Sequence, residues 1–576
     1  MLKAFAVLLF LFSRAAPLDV TIDGAAPIAT SSPLLASHGW EAWQMLDALP
    51  KVVDPRVENI GASLSPGVVR VGGITGDWLR YIVDGGGAGT DGGAPAPPLA
   101  LGGFWPSQPE NITLSAVYSL SGLMKRSNLS LLFDLSELYG RNCNTTKPGC
   151  PSCTDWCGLP PDFPPWDMRN VEAFLQRLHD DGTAGGPGNP LFAFELGNEL
   201  AGHLDPAANT ADVLALSLMI KNIWADVPEA SRPLFFAPST DACGASYAQT
   251  QQIMKNITGH ADGFTYHAYP AGDGHALEQQ LLNASWLRSG ILTGSDSQGC
   301  IDDWNAGPRA AGLQLWITEA SSSWNWPGSS DPPWTPGQPG QNTFLHGFFT
   351  VSELGTYARL GVPVVARWAF ALGGAFSTID LNEDRFDVAA DFWIMVAQKR
   401  LLGSGVLGVT GDDADGSTAF VFALGTAGAA AAAAAAGGRD LAAMRHEAAG
   451  LGAAAIIRDG GAAAGGGGNG SVAVAAVNVG TNPTTLSLLS PSGARLATTP
   501  RLEWVFTAPG ANLSATSSLL NDDGSGGGAS LRINEDGTLP PMVARYVSEG
   551  GPQDIVLPPL SQAFFLLLSA GAPACS

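Results

Sequence analysis

Between residues 34 and 368 the chain repeats one pattern: a run of four to seven mostly apolar residues, then a longer stretch. Several of those stretches are apolar at helical spacing. Strands joined by helix-length connections have to run parallel, each followed by a crossover, because hairpin turns are much shorter. The strand-like runs are Leu34–Ser37, Val68–Val71, Leu129–Leu135, Phe192–Leu196, Leu234–Ala237, Gly263–His267, Leu313–Glu319 and Val362–Arg367. Helical spacing is read at Val171–Leu178, Val213–Ile223, Leu277–Leu282 and Thr343–Leu360. Eight strands in this alternation predict an α/β fold, a (β/α)8 TIM barrel over residues 34–400.

Past Gly403 the rhythm changes. Ala419–Leu424, Val472–Asn478, Leu502–Phe506, Ile555–Leu557 and Ala563–Leu568 are short strand-like runs with little helical periodicity between them. They predict an antiparallel β-sandwich over residues 401–576. The Ala/Gly-rich run 426–468 interrupts it and reads as a disordered loop of that domain. A chain of 576 residues is long enough for two such cores.

Charge narrows the partners. With 52 acidic and 29 basic residues, a formal charge of -23, the average field repels nucleic acid and acidic membrane surfaces. It also counts against a long polyanionic substrate unless the cleft has its own positive patch. The first sixteen residues carry Lys3, an apolar run Ala4–Phe12 and then Ser13-Arg-Ala-Ala16, the layout of a signal peptide. That run is too short to span a bilayer, and no later stretch qualifies as a transmembrane segment. The expected address is secreted, extracellular or cell wall, or a vacuolar or lysosome-like compartment. Acceptor sequons at Asn111, Asn128, Asn144, Asn256, Asn283, Asn469 and Asn512 agree with that route.

Seven cysteines divide into a cluster, Cys143, Cys150, Cys153 and Cys157, and three that stand alone, Cys243, Cys300 and Cys575. Four thiolates would satisfy zinc's tetrahedral preference. In an oxidising compartment the same cluster forms local disulfides, which is the expectation taken here, with no metal and no cofactor. The odd count leaves at least one cysteine without an intrachain partner, with Cys575 the candidate.

The chemistry is carried by two strands that end in glutamate. Phe192-Ala-Phe-Glu-Leu-Gly-Asn-Glu199 is the fourth of the series, and Leu313-Gln-Leu-Trp-Ile-Thr-Glu319 the seventh. Active groups of such barrels sit at the C-terminal strand ends. Two facing carboxyl groups are the minimum for hydrolysing a glycosidic bond, one giving a proton to the leaving oxygen and one staying ionised. Glu195 competes with Glu199, but it lies inside the apolar run whereas Glu199 is at the tip. Asn198 can hold a sugar hydroxyl without adding charge. His267 and Tyr269, at the end of the sixth strand, can reach the nucleophile with hydrogen bonds; a packed core histidine with a turn tyrosine is the competing reading. Trp324 follows Glu319 closely and offers an aromatic face to a sugar.

Phe194-Glu-Leu-Gly-Asn-Glu199, Tyr266-His-Ala-Tyr269 and Trp316-Ile-Thr-Glu-Ala-Ser-Ser322 resemble the corresponding stretches of heparanase and its plant heparanase-like relatives, family 79 glycoside hydrolases. Val69-Arg-Val-Gly-Gly73 with Asp77 resembles their second-strand motif. Ala366-Arg-Trp-Ala-Phe-Ala-Leu-Gly-Gly-Ala-Phe376, with Phe386 and Asp391-Phe-Trp393 after it, resembles their eighth-strand region. The resemblance implies a retaining β-glucuronidase with Glu199 as acid/base and Glu319 as nucleophile. It also implies a sandwich completed by the N-terminal strand within residues 17–33, and substrate contacts from Asp77, Gly373 and Gly374. The family grips the uronate carboxylate with glycine amides after the nucleophile and a tyrosine after the eighth strand. Asn325, Trp326 and Phe376 stand near those positions here. The expected partner is therefore a carbohydrate, a glucuronic-acid-bearing glycan, glycoprotein or small glucuronide. A clan-related neutral-sugar glycosidase (xylosidase, glucosidase, arabinofuranosidase) or a non-catalytic carbohydrate-binding barrel are the alternatives.

Overall fold

The computed structural model describes residues 18–570 except 50–53, 84–110, 141–164, 186–187, 201–205, 242, 244–248, 273–275, 295, 325–340, 372–375, 382–386, 412–418, 426–471, 497, 499, 516, 522–527, 549 and 568–569. The signal-like segment 1–16, the Cys143–Cys157 cluster, Cys575, the Ala/Gly run, Asn325, Trp326, Gly373, Gly374 and Phe386 lie outside the described residues.

Eight parallel strands close into a barrel. In chain order they are β1 (Ala36–Glu41), β2 (Val68–Gly72), β3 (Ser130–Leu135), β4 (Leu191–Leu196), β5 (Leu234–Thr240), β6 (Gly263–Ala268), β7 (Gln314–Ala320) and β8 (Val365–Trp368). Strand β8 closes the ring against β1, with Trp368 opposite Gly39. Helices follow most strands on the outside. The connection from β6 to β7, read as one helix at Leu277–Leu282, is three: Leu277–Leu281, Ala284–Thr293 and Ser297–Asn305. Cys300 on the last of these is bonded to Cys243 beyond β5, with Cα atoms 5.0 Å apart. They are 57 residues apart, and no local motif links them.

The barrel interior is filled in layers, as alternation along parallel strands requires. The lower layer is apolar: Val68, Leu132, Ala193, Phe236, Trp316 and Val364 form their own buried cluster. Two residues further along the same strands, Arg70, Asp134, Glu195 and Thr318 make a polar layer, all four at most marginally exposed. A strand residue two positions on points to the same side, so the lower plug sets the height at which the charged groups sit.

A second body packs beside the barrel. One of its sheets runs Gly408–Thr410, Leu18–Asp23, Thr484–Leu489 and Ile555–Leu557. The other centres on Ala419–Gly425, Val472–Asn478, Ser561–Leu567 and Arg501–Thr507. Pairing is antiparallel throughout except where Leu18–Asp23 lies parallel to Thr484–Leu489. Two helices sit between the bodies, Phe344–Leu360 and Ala390–Leu401. Neither has a polar face: all residues from 344 to 358 and from 390 to 398 are buried, the pattern of a helix covered on every side. Gln562 of the sandwich donates to the Phe344 carbonyl at 2.9 Å, and the absent side chain of Gly347 leaves room for that amide. Among the described residues no helix is long and apolar enough to cross a membrane.

Candidate active site

The mouth of the barrel is built on Arg70. It sits on β2 inside a valine run, fully buried, and its three guanidine nitrogens each find a different acceptor. Nε donates to Glu195 Oε2 at 2.5 Å, Nη1 to Glu319 Oε1 at 2.5 Å and Nη2 to Asn198 Oδ1 at 3.0 Å. Asp134 Oδ2 lies 3.6 Å from Nη2. Burial works against the charge, but Glu195, Glu319 and Asp134 outweigh it, so the guanidinium stays firmly protonated. Three carboxyl groups around one cation cannot all ionise cheaply away from water. Burial, reinforced by the neighbouring carboxylates, holds Asp134 well above the usual carboxylate range despite Arg70.

Glu195 is thus part of the frame. Besides Arg70 it accepts the Thr318 hydroxyl at 2.9 Å, and it has no exposure. Four residues later the backbone turns sharply: Gly197 and Glu199 both take positive φ, 68° and 59°. Glycine suits the first position twice over, because a Cβ there would also meet Glu137 Oε2 at 2.4 Å. Glutamate at the second is strained, on the order of 1 kcal/mol. Asp77 braces the turn, its Oδ1 accepting the Asn198 N–H at 3.1 Å while its carbonyl accepts the N–H groups of Leu138 and Tyr139. Asp77 is buried beneath the turn. Asn198 commits its side-chain oxygen to Arg70, so what it offers a sugar hydroxyl is its amide N–H.

Glu199 and Glu319 face each other across His267. A carboxylate oxygen of each, together with a ring nitrogen of His267, lie within 4.8 Å of one another. His267 Nδ1 is 2.7 Å from Glu199 Oε1 and 3.6 Å from Glu319 Oε2, so the histidine expected at the nucleophile is nearer the other glutamate. Tyr269 does reach Glu319, its hydroxyl donating to Oε2 at 2.8 Å. Burial, with Arg70, lowers the His267 pKa against the pull of Glu319 and Glu195, and the ring is neutral. Its Nδ1–H then donates to Glu199 and its Nε2 accepts the Ser239 hydroxyl, 3.0 Å away. Burial and then the Glu319 and Glu199 charges push the Tyr269 phenol well above its ordinary value, so it remains a donor.

Glu199, His267 and Glu319 also have the spacing of a metal-ligand trio. Arg70 already brings a permanent positive charge to Glu319, which disfavours a second cation in the same place. Trp324 is 59% exposed beyond β7, its N–H bonded to the Gly272 carbonyl at 3.1 Å. Phe376 is half-buried, and its carbonyl accepts from Arg367 at 3.0 Å.

Two residues of this cluster have no chemical role assigned by the motifs above. Arg70 stands in the second-strand motif, and a charge inside an apolar strand run is itself a signal. Glu41 ends β1, and the strand-end rule applied to that strand would have found it. Thr75 donates to Glu41 through both its N–H, at 3.0 Å, and its hydroxyl. Burial still raises the Glu41 carboxyl to about 7, the Thr75 hydrogen bonds countering and Glu319 adding to the shift.

Comparison with known proteins fits this geometry. The profile of glycosyl hydrolase family 79, N-terminal domain, matches residues 58–355, a span that includes Arg70, Glu199 and Glu319. Heparanase-like protein 2 of Arabidopsis thaliana is 27% identical over 289 residues, covering 48% of this chain and 45% of the relative. Hyaluronoglucuronidase of Hirudo nipponia is 22% identical over 573 residues, 96% of this chain and 99% of the relative. Among solved structures, a 4-O-α-L-rhamnosyl-β-D-glucuronidase from Fusarium oxysporum 12S superposes with a TM-score of 0.56 at 12% identity, covering 96% of this chain and all (100%) of the other. A GH51 arabinofuranosidase from Xanthomonas axonopodis pv. citri gives 0.54 at 14% identity, with 95% and 99% covered. At such identities the structural likeness speaks for the fold alone.

Proposed function

The chain belongs to glycosyl hydrolase family 79 and is a glycoside hydrolase; from that premise we propose that it is a retaining β-glucuronidase. The observation that carries the mechanism is the pair of carboxylate oxygens within 4.8 Å. Retaining enzymes hold their carboxyl groups about 5–5.5 Å apart, whereas inverting ones leave about 6.5–9.5 Å for a water. The surroundings divide the labour. A guanidinium and a phenol both point at Glu319, the arrangement that favours an anion and suits the nucleophile. Glu199 has a neutral imidazole on one oxygen and stands at the mouth, more exposed than Glu319, where a leaving group departs.

In the first step Glu319 attacks the anomeric carbon while Glu199 gives its proton to the glycosidic oxygen, and the aglycone leaves. In the second, Glu199 takes a proton from water, the resulting hydroxide attacks the same carbon, and Glu319 is released with the sugar in its original β configuration. His267 holds one oxygen of Glu199 and so orients the other to carry the mobile proton. The buried polar layer below costs no reorganisation during the reaction because Arg70 is already in place.

The glucuronyl assignment draws on the names of the relatives and on the resemblance of the strand-end motifs. The acidic chain favours small glucuronides, or glucuronic acid on glycoproteins and wall glycans, over sulfated polymers. A secretory route is supported by the sequons: Asn111, Asn128, Asn256, Asn283 and Asn512 are all exposed. One feature favours the neutral-sugar reading, namely Phe376, which has no hydroxyl to give a carboxylate. A panel of 4-nitrophenyl β-glycosides decides between them. Turnover of the glucuronide, lost in Glu319→Gln and in Glu199→Gln for leaving groups that need a proton, supports the proposal; turnover of xyloside, glucoside or arabinofuranoside alone overturns it.

A further inference from the structure

Behind the active site lies a polar cluster that the reaction does not explain. His346 is fully buried in the first turn of the helix Phe344–Leu360. Its Nδ1 is 3.0 Å from Asp391 Oδ2, an oxygen that also accepts Arg367 Nε at 2.8 Å. Arg367 donates onward to the carbonyls of Phe376, at 3.0 Å, and Gln341, at 2.7 Å. An ionised Asp391 fixes the imidazole tautomer: the proton sits on Nδ1 and leaves Nε2 a bare acceptor. Opposite Nε2 at 3.4 Å is the Ser322 N–H; Ser321 Oγ is equally near, but its one proton goes to Gln341 Oε1, whose own Nε2 donates to the Ser323 carbonyl.

Ser321 and Ser322 are the second and third residues after Glu319. Their segment is tied on its other side to the loop after β6. Ser321 N–H donates to the Ala268 carbonyl at 3.1 Å, Ala271 N–H to the Ser322 carbonyl at 2.8 Å, and the Ser323 hydroxyl to the Gly272 carbonyl at 2.6 Å. That loop carries Tyr269, whose hydroxyl holds Glu319. The helix end bearing His346 is itself fixed by the sandwich: Phe344 N–H donates to the Ala515 carbonyl at 2.7 Å and Leu345 N–H to the Leu513 carbonyl at 3.0 Å. Without those carbonyls two buried helix-end donors would lack partners.

We propose that His346 is a positioning residue for the nucleophile, its unprotonated Nε2 accepting the Ser322 N–H so that Glu319 and the Tyr269 loop keep one relative placement. The proposal rests on Glu319 being the nucleophile. It has a pH corollary. A second proton would turn Nε2 into a donor facing the Ser322 N–H, and the contact would become repulsive. The charged groups against the ring are Asp391 and Arg367; His38 of β1 and Glu353 of the same helix interact with that pair from further out. Burial, with Arg367 adding and Asp391 opposing, lowers the His346 pKa to about 4.

The test uses the full chain, 4-nitrophenyl β-glucuronide, and the variants His346→Ala and His346→Gln, whose amide oxygen can replace Nε2. His346→Ala lowers kcat by roughly 100-fold with KM little changed, the scale of a misplaced reacting group. His346→Gln recovers most of kcat and loses less rate than the wild type as pH falls through about 4. In a Glu319→Gly background with azide as the external nucleophile, adding His346→Ala changes the rescued rate little, since no carboxylate remains to be placed. Wild-type kcat in His346→Ala, equal losses in both single variants, or a further large loss of the azide-rescued rate would each overturn the positioning role. Azide-independent turnover by Glu319→Gly would instead remove the nucleophile reading beneath it.

Discussion

Replacing Arg70 by methionine and by lysine separates its charge from its shape. Methionine fills similar volume but removes the cation from Glu195 and Glu319, both 2.5 Å away, and a donor from Asn198 at 3.0 Å. Breaking one buried pair and leaving its partner uncompensated costs about 3–5 kcal/mol, and here two partners are left. Arg70→Met should therefore lose at least that much stability and essentially all turnover. Lysine keeps the charge as a single point on a shorter head group, so it cannot reach all three acceptors. Losing one charge-assisted hydrogen bond costs about 1.5–3 kcal/mol. Carried into the transition state, that is roughly a 10- to 150-fold fall in kcat/KM, with a smaller loss of stability than for methionine. Urea unfolding and kcat/KM on an aryl β-glucuronide measure the two effects. An Arg70→Met protein that unfolds at the wild-type midpoint and keeps wild-type turnover would refute the central place given to this residue.

Three further outcomes follow from the same geometry. Tyr269→Phe removes only the 2.8 Å donor to Glu319, so kcat/KM should fall about 10- to 150-fold while thermal melting barely moves. Glu353 is buried in the helix Phe344–Leu360, and burial, only partly countered by Arg367, raises its pKa to about 8. The folded state then holds a proton that the unfolded state releases near 4.5, so its contribution to stability is present at acid pH and declines as pH rises toward 8. Glu353→Gln, a mimic of the neutral acid, should stabilise the protein at pH 9 relative to wild type and change it little at pH 4 to 5; equal effects at both ends would contradict this. Cys243→Ser opens a 57-residue loop and should cost about 4 kcal/mol on the chain-entropy view, read as a lower urea midpoint; no change on mutation or reduction would sink it.

The barrel could be read from sequence because its strands are buried on both faces and appear as uninterrupted apolar runs. Val472–Asn478 of the sandwich, buried at every position, coincides with its sequence run for the same reason. Where a strand carries chemistry the signal fades. Strand β1 contains Ser, His, Gly and Glu and lies two residues later than the Leu34–Ser37 run suggested. Its Gly39 is demanded by the Trp368 indole, which would be 2.5 Å from a Cβ there, a contact between sequence positions far apart. Glu199 and Glu319 are legible as candidates because each ends an apolar strand. The role of Arg70 is not, because its partners lie 125 and 249 residues away and nothing local announces them. The same holds for Cys243 with Cys300, and for His346, whose meaning depends on Asp391 and on a loop of the neighbouring body. Periodicity reports which face is buried; it does not report which buried polar groups meet.

The claim at the centre is that Glu319 forms a covalent bond to the sugar while Glu199 manages the proton. Incubation with an activated 2-deoxy-2-fluoro β-glucuronide, followed by proteolysis and mass spectrometry, tests it directly. The account predicts one label per chain, on the peptide containing Glu319, with loss of activity that reverses slowly as the ester hydrolyses. A label on Glu199, Glu195 or Glu41, or fast hydrolysis giving the α-anomer first with no label at all, would contradict it.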